Sequence, residues 1–259
     1  MSSNRGSRSR IAAAVGAVLT LVGGCASGGD DTADESASST PALSPRPSAT
    51  VGRPLTAAEL AAALPEEGAL PGYSVISTPE TKTGGEKSDH SVRPAACQLL
   101  EDARSGVFAD SVASAWVNIS APGFAPSTER LTFTSYRSRG AGAYLASLDT
   151  ALDACPSLSL LDRDGDRVNA GVERVKDQVS VGDASVSFRM HWALNIGGFK
   201  SETYSLVTTV RSGEATITVV TDSSFGSQLS DAKKRAFLPK LDQQLLKRQA
   251  DALGEAQHS

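Results

Sequence analysis

Hydrophobic positions along this chain switch repeatedly between a period of three to four and a period of two, and the switches outline the elements. Thr56 and Glu59 have capping-box spacing, which predicts a short helix over 57–64 closed by Pro65. Pro71-Gly72 marks a turn before an expected strand at 73–78, and the polar stretch 80–92 reads as an exposed loop. Pro94 suits a first helical position, so 94–104 is expected to be helical, with Cys97, Leu100 and Ala103 on one face. Strands are expected at 112–119 and 130–136, where Leu131 and Phe133 alternate with Thr132 and Thr134. Over 139–155 the period lengthens. Ala141, Tyr144, Leu145, Leu148, Ala151, Leu152 and Cys155 form one helical stripe.

The C-terminal half is mostly of strand type. Ala184, Val186, Phe188, Met190, Trp192 and Leu194 alternate with Ser185, Ser187, Arg189 and His191, the pattern of a half-buried antiparallel strand. A two-residue turn at Ser212-Gly213 would pair Arg211 with Glu214, Val210 with Ala215, Thr208 with Ile217 and Leu206 with Val219. A closing helix is expected from about 229 to 253, with Leu238, Leu241, Leu245 and Leu253 inside and Pro239 kinking or dividing it. The fold class expected is α+β: a twisted, mainly antiparallel sheet of about six or seven strands with helices packed on it.

The N-terminus changes the setting of that domain. Arg5, Arg8 and Arg10 precede the apolar run 11–22, which is too short to span a bilayer, since a span takes roughly 20 residues. Residues 1–24 read as a signal peptide. Val22-Gly23-Gly24-Cys25 resembles the lipobox of bacterial lipoproteins, a likeness that implies lipidation of Cys25 and cleavage before it. Residues 26–54 are mostly Gly, Ser, Thr, Pro, Ala and acidic residues with almost no large apolar residue, too poor in apolar surface to fold. They read as a tether to a single extracytoplasmic domain at 55–254, followed by a tail at 255–259. Two acyl chains suffice for stable anchoring.

The charge narrows the partners. The chain has 25 Lys and Arg against 29 Asp and Glu, and the expected mature form loses three of the arginines. Such a surface argues against nucleic acid, which requires basic patches. Three cysteines are present. With Cys25 lipidated, Cys97 and Cys155 remain as a pair. A disulfide is the expectation in an oxidising compartment, with buried thiols or a metal site as the alternatives.

Candidate chemistry is sparse. His90 lies in a polar loop, His191 on the polar face of a strand, and His258 at the tail; there is no GxSxG elbow. No catalytic residue and no cofactor are expected. Asp162, Asp164 and Asp166 match positions 1, 3 and 5 of a calcium loop, with Glu173 at position 12, but Arg167 stands where glycine is required. The stretch reads as a solvated turn. Tyr73, Trp116, Tyr136, Tyr144 and Trp192 are candidates to line a pocket, although most aromatics at these periods are core. Asn118-Ile119-Ser120 has the glycosylation acceptor pattern but falls in an expected strand.

Several short segments together resemble a family. These are Leu55-Thr56-Ala57-Ala58-Glu59-Leu60 running to Leu70-Pro71-Gly72-Tyr73, then Ala96-Cys97, then Ala151-Leu152-Asp153-Ala154-Cys155. Val181-Gly182-Asp183-Ala184 and Val210-Arg211-Ser212-Gly213 complete the set. Over about 55–250 the chain resembles the actinobacterial secreted lipoproteins related to the extracellular sensor domain of the kinase PknH. That resemblance implies a cell-envelope sensor or binding domain with a cleft, not an enzyme, and it carries over no binding residues. The expected function is therefore a non-enzymatic, sensor-like domain. It would be lipid-anchored on the outer face of the cell membrane and bind a small ligand or an envelope protein. The other readings are an envelope hydrolase with an unrecognised site and a lipid carrier with an apolar cavity.

Mass spectrometry of the membrane-bound protein should show a chain beginning at a diacylglyceryl-modified Cys25, and Cys25→Ser should abolish both modification and membrane retention. A product that keeps Met1 and stays soluble in the cytosol overturns this reading.

Overall fold

The computed structural model describes residues 53–88, 90–120, 128–161, 167–176, 179–196, 198–226 and 228–259. The signal peptide, Cys25, nearly all of the tether, and Asp162, Asp164 and Asp166 lie outside the described residues.

Chain order starts with α1 (Ala57–Ala63), β1 (Ser74–Val75), β2 (Glu80–Thr83) and β3 (Ser91–Arg93). A 3₁₀ turn (Ala95–Cys97) leads into α2 (Gln98–Ser105), then β4 (Ser111–Ser120), β5 (Thr128–Tyr136) and α3 (Gly140–Ala154). Five strands follow: β6 (Ser157–Leu161), β7 (Arg167–Arg174), β8 (Ala184–Ile196), β9 (Phe199–Ser212) and β10 (Ala215–Gly226). The chain closes with α4 (Asp231–Phe237) and α5 (Gln243–His258).

The ten strands form one sheet in the order β1-β4-β5-β10-β9-β8-β7-β6-β3, with β2 also paired to β4. Every pairing is antiparallel. The sheet is thus larger than the six or seven strands expected. The additional strands have a common reason for escaping the pattern. β2 and β3 are short edge strands at the two ends of the stretch expected as a loop, β3 running one residue past it, and β2 (ETKT) is largely exposed, so it shows no apolar alternation. β6 and β7 flank the acidic turn, with Leu158 and Ala170 their fully buried positions. β1 is only two residues long, shorter than the strand expected at 73–78.

Helices cover both faces. The register places Ala115, Val117, Leu131, Phe133, Ile217, Val219 and Val210 on one face, where α1 and α5 bury Leu60, Leu64, Leu245, Leu246 and Leu253 against them. The opposite face presents Val186, Phe188, Met190, Val207 and Val220 to Leu100, Ala103, Leu145, Leu148 and Leu152 of α2 and α3. Full burial of such a side chain contributes about 1.5–3 kcal/mol.

Local chemistry explains the ends of the elements. The Thr56 hydroxyl accepts from the Glu59 amide at 3.3 Å, and the Glu59 carboxylate accepts from the Thr56 amide at 2.8 Å, the reciprocal capping box. Pro94 is not the first residue of a helix. It follows a cis peptide after Arg93 and precedes the 3₁₀ turn in extended conformation. The C-terminal helix is divided around buried Pro239 into α4 and α5. α5 runs to His258, so the expected tail is its last turn.

The β9–β10 hairpin differs from the expected register in an instructive way. Val210 pairs with Ile217 and Thr208 with Val219, two positions from the register read from the sequence. The turn centres on Gly213-Glu214 rather than Ser212-Gly213. Gly213, at φ 59°, takes the first central position, where only glycine accepts a positive φ without strain. A slip of two keeps every side chain on its own face, so the burial pattern cannot distinguish the two registers. Arg211 consequently lies opposite Thr216 and turns to Asp183 at 3.5 Å instead of Glu214. The Asp183 carboxylate also accepts from the Gly213 amide at 2.9 Å.

A disulfide joins Cys97, at the start of α2, to Cys155, just beyond α3. Both cysteines are buried among the residues beneath those helices. The bridge spans 58 residues, and in the chain-entropy description closing such a loop contributes about 4 kcal/mol. The double variant Cys97→Ala/Cys155→Ala should therefore lose about that much stability in urea unfolding while keeping its far-ultraviolet circular dichroism. A variant as stable as the parent would show that the bridge constrains neither state.

Candidate functional site

On the α2 face, the aliphatic floor of the sheet gives way to polar residues along β4, β5 and β10. The register sets Asn118 beside Arg130 and Arg130 beside Val220; in the next row Thr128 lies beside Asp222, and Asp222 beside Ser205. With Arg104 and Ser105 from the end of α2 and His90 from the loop before β3, these residues line a cleft of about 320 Å³. The volume is near the lower end of the usual range for small-ligand clefts, about 300–1,000 Å³.

Each charged side chain in the cleft is fixed differently. Glu101 is buried and accepts from Arg104 Nε at 2.7 Å and Nη2 at 2.5 Å, and from the Ser105 hydroxyl at 2.7 Å. Burial opposes the positive charge on Arg104, but the bonds and field of Glu101 outweigh it and raise the guanidinium pKa. The Arg104 guanidinium also stands 5.3 Å from the centre of the Trp192 ring, a cation–π distance. Gly106 ends α2 at φ 74°, a conformation other residues resist. The chain there turns so that the Ser105 carbonyl accepts from Arg130 Nη1 at 2.8 Å.

Arg130 Nε has no partner, and Arg130 makes no ion pair with any carboxylate among the described residues. Asp222 accepts a hydrogen bond from the Ser205 hydroxyl through one oxygen. One row further out, the Thr203 and Ser224 hydroxyls bond to each other at 2.9 Å. Gln98 holds the His90 segment against α2: its amide nitrogen donates to the His90 carbonyl at 3.1 Å and to Asp102 at 2.8 Å.

The opposite face carries a second polar region. His191, Tyr204 and Phe225 stack across three strands, with ring centres 4.2 Å and 5.5 Å apart, and Phe237 of α4 continues the row at 6.3 Å. Glu202 accepts from Lys234 at 2.6 Å, and that bond lowers its pKa. His191 Nε2 is 3.7 Å from Glu202, beyond hydrogen-bond reach. The two contacts, ring to ring and ion to ion, hold α4 on the sheet.

The residues singled out in the sequence are scattered. His90 reaches the cleft, His191 belongs to the aromatic row, and His258 is exposed at the end of α5. Among the described residues the five candidate aromatics are not brought together at one place. Tyr73 donates to Asp242 at 2.7 Å on one face, while Tyr136 at the end of β5 stacks on Tyr144 of α3 at 5.5 Å. Trp192 flanks Arg104, and Trp116 lies half-buried on β4 beside Thr132. Asn118 lines the cleft. Glu173 of the calcium pattern sits on β7, 3.7 Å from Arg189, and among the described residues no cluster of three metal-ligating side chains occurs. Arg104, Arg130 and Asp222 were not visible as candidates. Only Asp222 leaves a trace in the pattern, as a charged residue two places after apolar Val220 on a strand; Arg104 is one of several charged residues on a helix, and Arg130 stands between Thr128 and Thr132.

No protein-family model and no curated protein matches the chain. Two solved structures are similar in part. The extracellular domain of PknH from Mycobacterium tuberculosis shares 12% identity at a TM-score of 0.49, over 80% of this chain and 98% of that one. LpqN from Mycobacterium tuberculosis, described as involved in cell envelope biogenesis, shares 10% identity at a TM-score of 0.26, over 71% of this chain and 86% of that one. At these values neither likeness assigns a role to any residue here.

One buried carboxyl adjoins the cleft on the reverse side of the sheet. Glu129, between Thr128 and Arg130, points to the α5 face. Burial, and then the field of Asp242, push its pKa from the usual 4.5 up to about 7. The native state thus holds a proton that the unfolded chain has already released. The stability this group contributes is intact below about pH 4.5 and declines as pH rises toward 7, in all by on the order of 3 kcal/mol. Glu129→Gln should flatten the urea-unfolding profile across that window and be the more stable protein at neutral pH. An unchanged slope in the variant would remove Glu129 as its source.

Proposed function

We propose that the chain is an exported, lipid-anchored, non-enzymatic binding domain of the cell envelope that receives a ligand in the cleft between α2 and the β4–β5–β10 floor. The observation that carries the reading is convergence. Arg104, Asn118, Thr128, Arg130 and Asp222 come from three strands and one helix to line one concave surface of ligand size. The protein's own bonds orient the wall residues before any ligand arrives. Arg104 is clamped by Glu101, Arg130 by the Ser105 carbonyl, and the His90 segment by Gln98. Preorganisation of this kind reduces the ordering cost of association. The N-terminal anchor and tether expected from the sequence would hold the cleft outside the membrane, and any signal would pass through a partner.

A photo-crosslinking residue in place of Thr128, introduced into the full-length protein in intact cells, should give a discrete adduct that the same residue at exposed His258 does not. Equal labelling at the two positions would show that the cleft is not a site of engagement.

A further inference from the structure

We infer that the ligand of this cleft is an anionic monosaccharide, a sugar ring carrying a phosphate or carboxylate; this rests on the cleft being the binding site. The charges in the cleft are of two kinds. Arg104 is already neutralised by buried Glu101. Arg130 is not: among the described residues it donates to a main-chain carbonyl, that of Ser105, and no carboxylate lies within ion-pair distance. A half-buried guanidinium with no carboxylate paired to it among the described residues favours an anion, and its planar fork suits phosphate or carboxylate oxygens.

A bare anion does not satisfy the rest of the cleft. Asp222, in the adjoining row, would repel it, yet the carboxylate has capacity beyond the one hydroxyl it already accepts from Ser205. Asn118 and Thr128 add an amide and a hydroxyl along the same floor, and Thr203 and Ser224 extend it. A ring with several hydroxyls supplies donors to Asp222 and acceptors to Asn118 and Thr128 while its anionic group meets Arg130. The volume of about 320 Å³ fits one such ring. The lining is polar, with Val220 as its lone aliphatic side chain, which disfavours an acyl chain.

Titration calorimetry on the full-length lipoprotein in detergent tests this with glucose 6-phosphate, glucuronate, glucose and inorganic phosphate. At least one of the two anionic sugars should bind tenfold or more tightly than both glucose and phosphate. Which of the two does so identifies the anion. Arg130→Gln should erase that advantage, and Arg130→Lys should restore part of it. Asp222→Asn should weaken the anionic sugar while strengthening inorganic phosphate. Thr128→Trp, at an exposed position, should block the cleft.

No heat with either anionic sugar at millimolar concentration overturns the inference, as does glucose binding equally well or an Arg130→Gln variant that keeps full affinity. In those cases the cleft itself stands if phosphocholine or another charged probe binds and Thr128→Trp abolishes it. A bound probe indifferent to Thr128→Trp removes the cleft as the site.

Discussion

The last strand, β10, is hydrogen-bonded along both edges, to β5 on one side and to β9 on the other. Those neighbours come from very different distances along the chain. β9 joins through a two-residue turn; β5 precedes β10 by some eighty residues. The sheet is therefore complete only when the C-terminal hairpin has docked beside β5. Both helical layers need that docking, because Ile217 and Val219 belong to one core and Val220 to the other. Long-range pairing of this sort is entropically costly to begin and slows folding relative to local contacts.

The same strand also sets the chemistry. Along β10 the residues on the α2 face run Thr216, Thr218, Val220, Asp222, Ser224, so the floor passes from buried hydroxyls through one aliphatic residue to a carboxylate and an open hydroxyl. Neighbouring strands follow suit: Thr134, Thr132, Arg130 and Thr128 on β5, and Val207, Ser205 and Thr203 on β9. Helices α2 and α3 cover the part of this face that is core, and beside the end of α2 at Gly106 the residues Arg130, Thr128 and Asp222 line a cleft.

Much of this architecture is legible in the sequence. Alternation over 184–194 and the helical stripe over 141–155 mark β8 and α3, and the Thr56–Glu59 spacing marks the start of α1. Each signal reports burial of one face, and burial is what period measures. The features that stay hidden lack that asymmetry. β2 lies at an edge and is polar. The hairpin register shifts by two with no change of face, so only the positive φ of Gly213 distinguishes it. The cleft is hidden for a third reason. Asn118, Arg130 and Asp222 are separated in sequence and meet only through strand pairings that join β4 to β5 and β5 to β10. A single sequence shows each as one polar residue on a strand, which is also how a solvated position looks.

The Cys97–Cys155 bridge has a bearing on the cleft that its stability contribution does not capture. α2 supplies the wall on which Arg104 and Ser105 stand, and its first turn is covalently fastened to the far end of α3. A reduced chain can retain the whole sheet, and with it the floor, while its wall is free to drift. The cleft's outline is thereby coupled to the oxidation state of its surroundings: a newly made chain in a thiol-rich compartment would hold a looser cleft than the same chain after its sulfurs have joined.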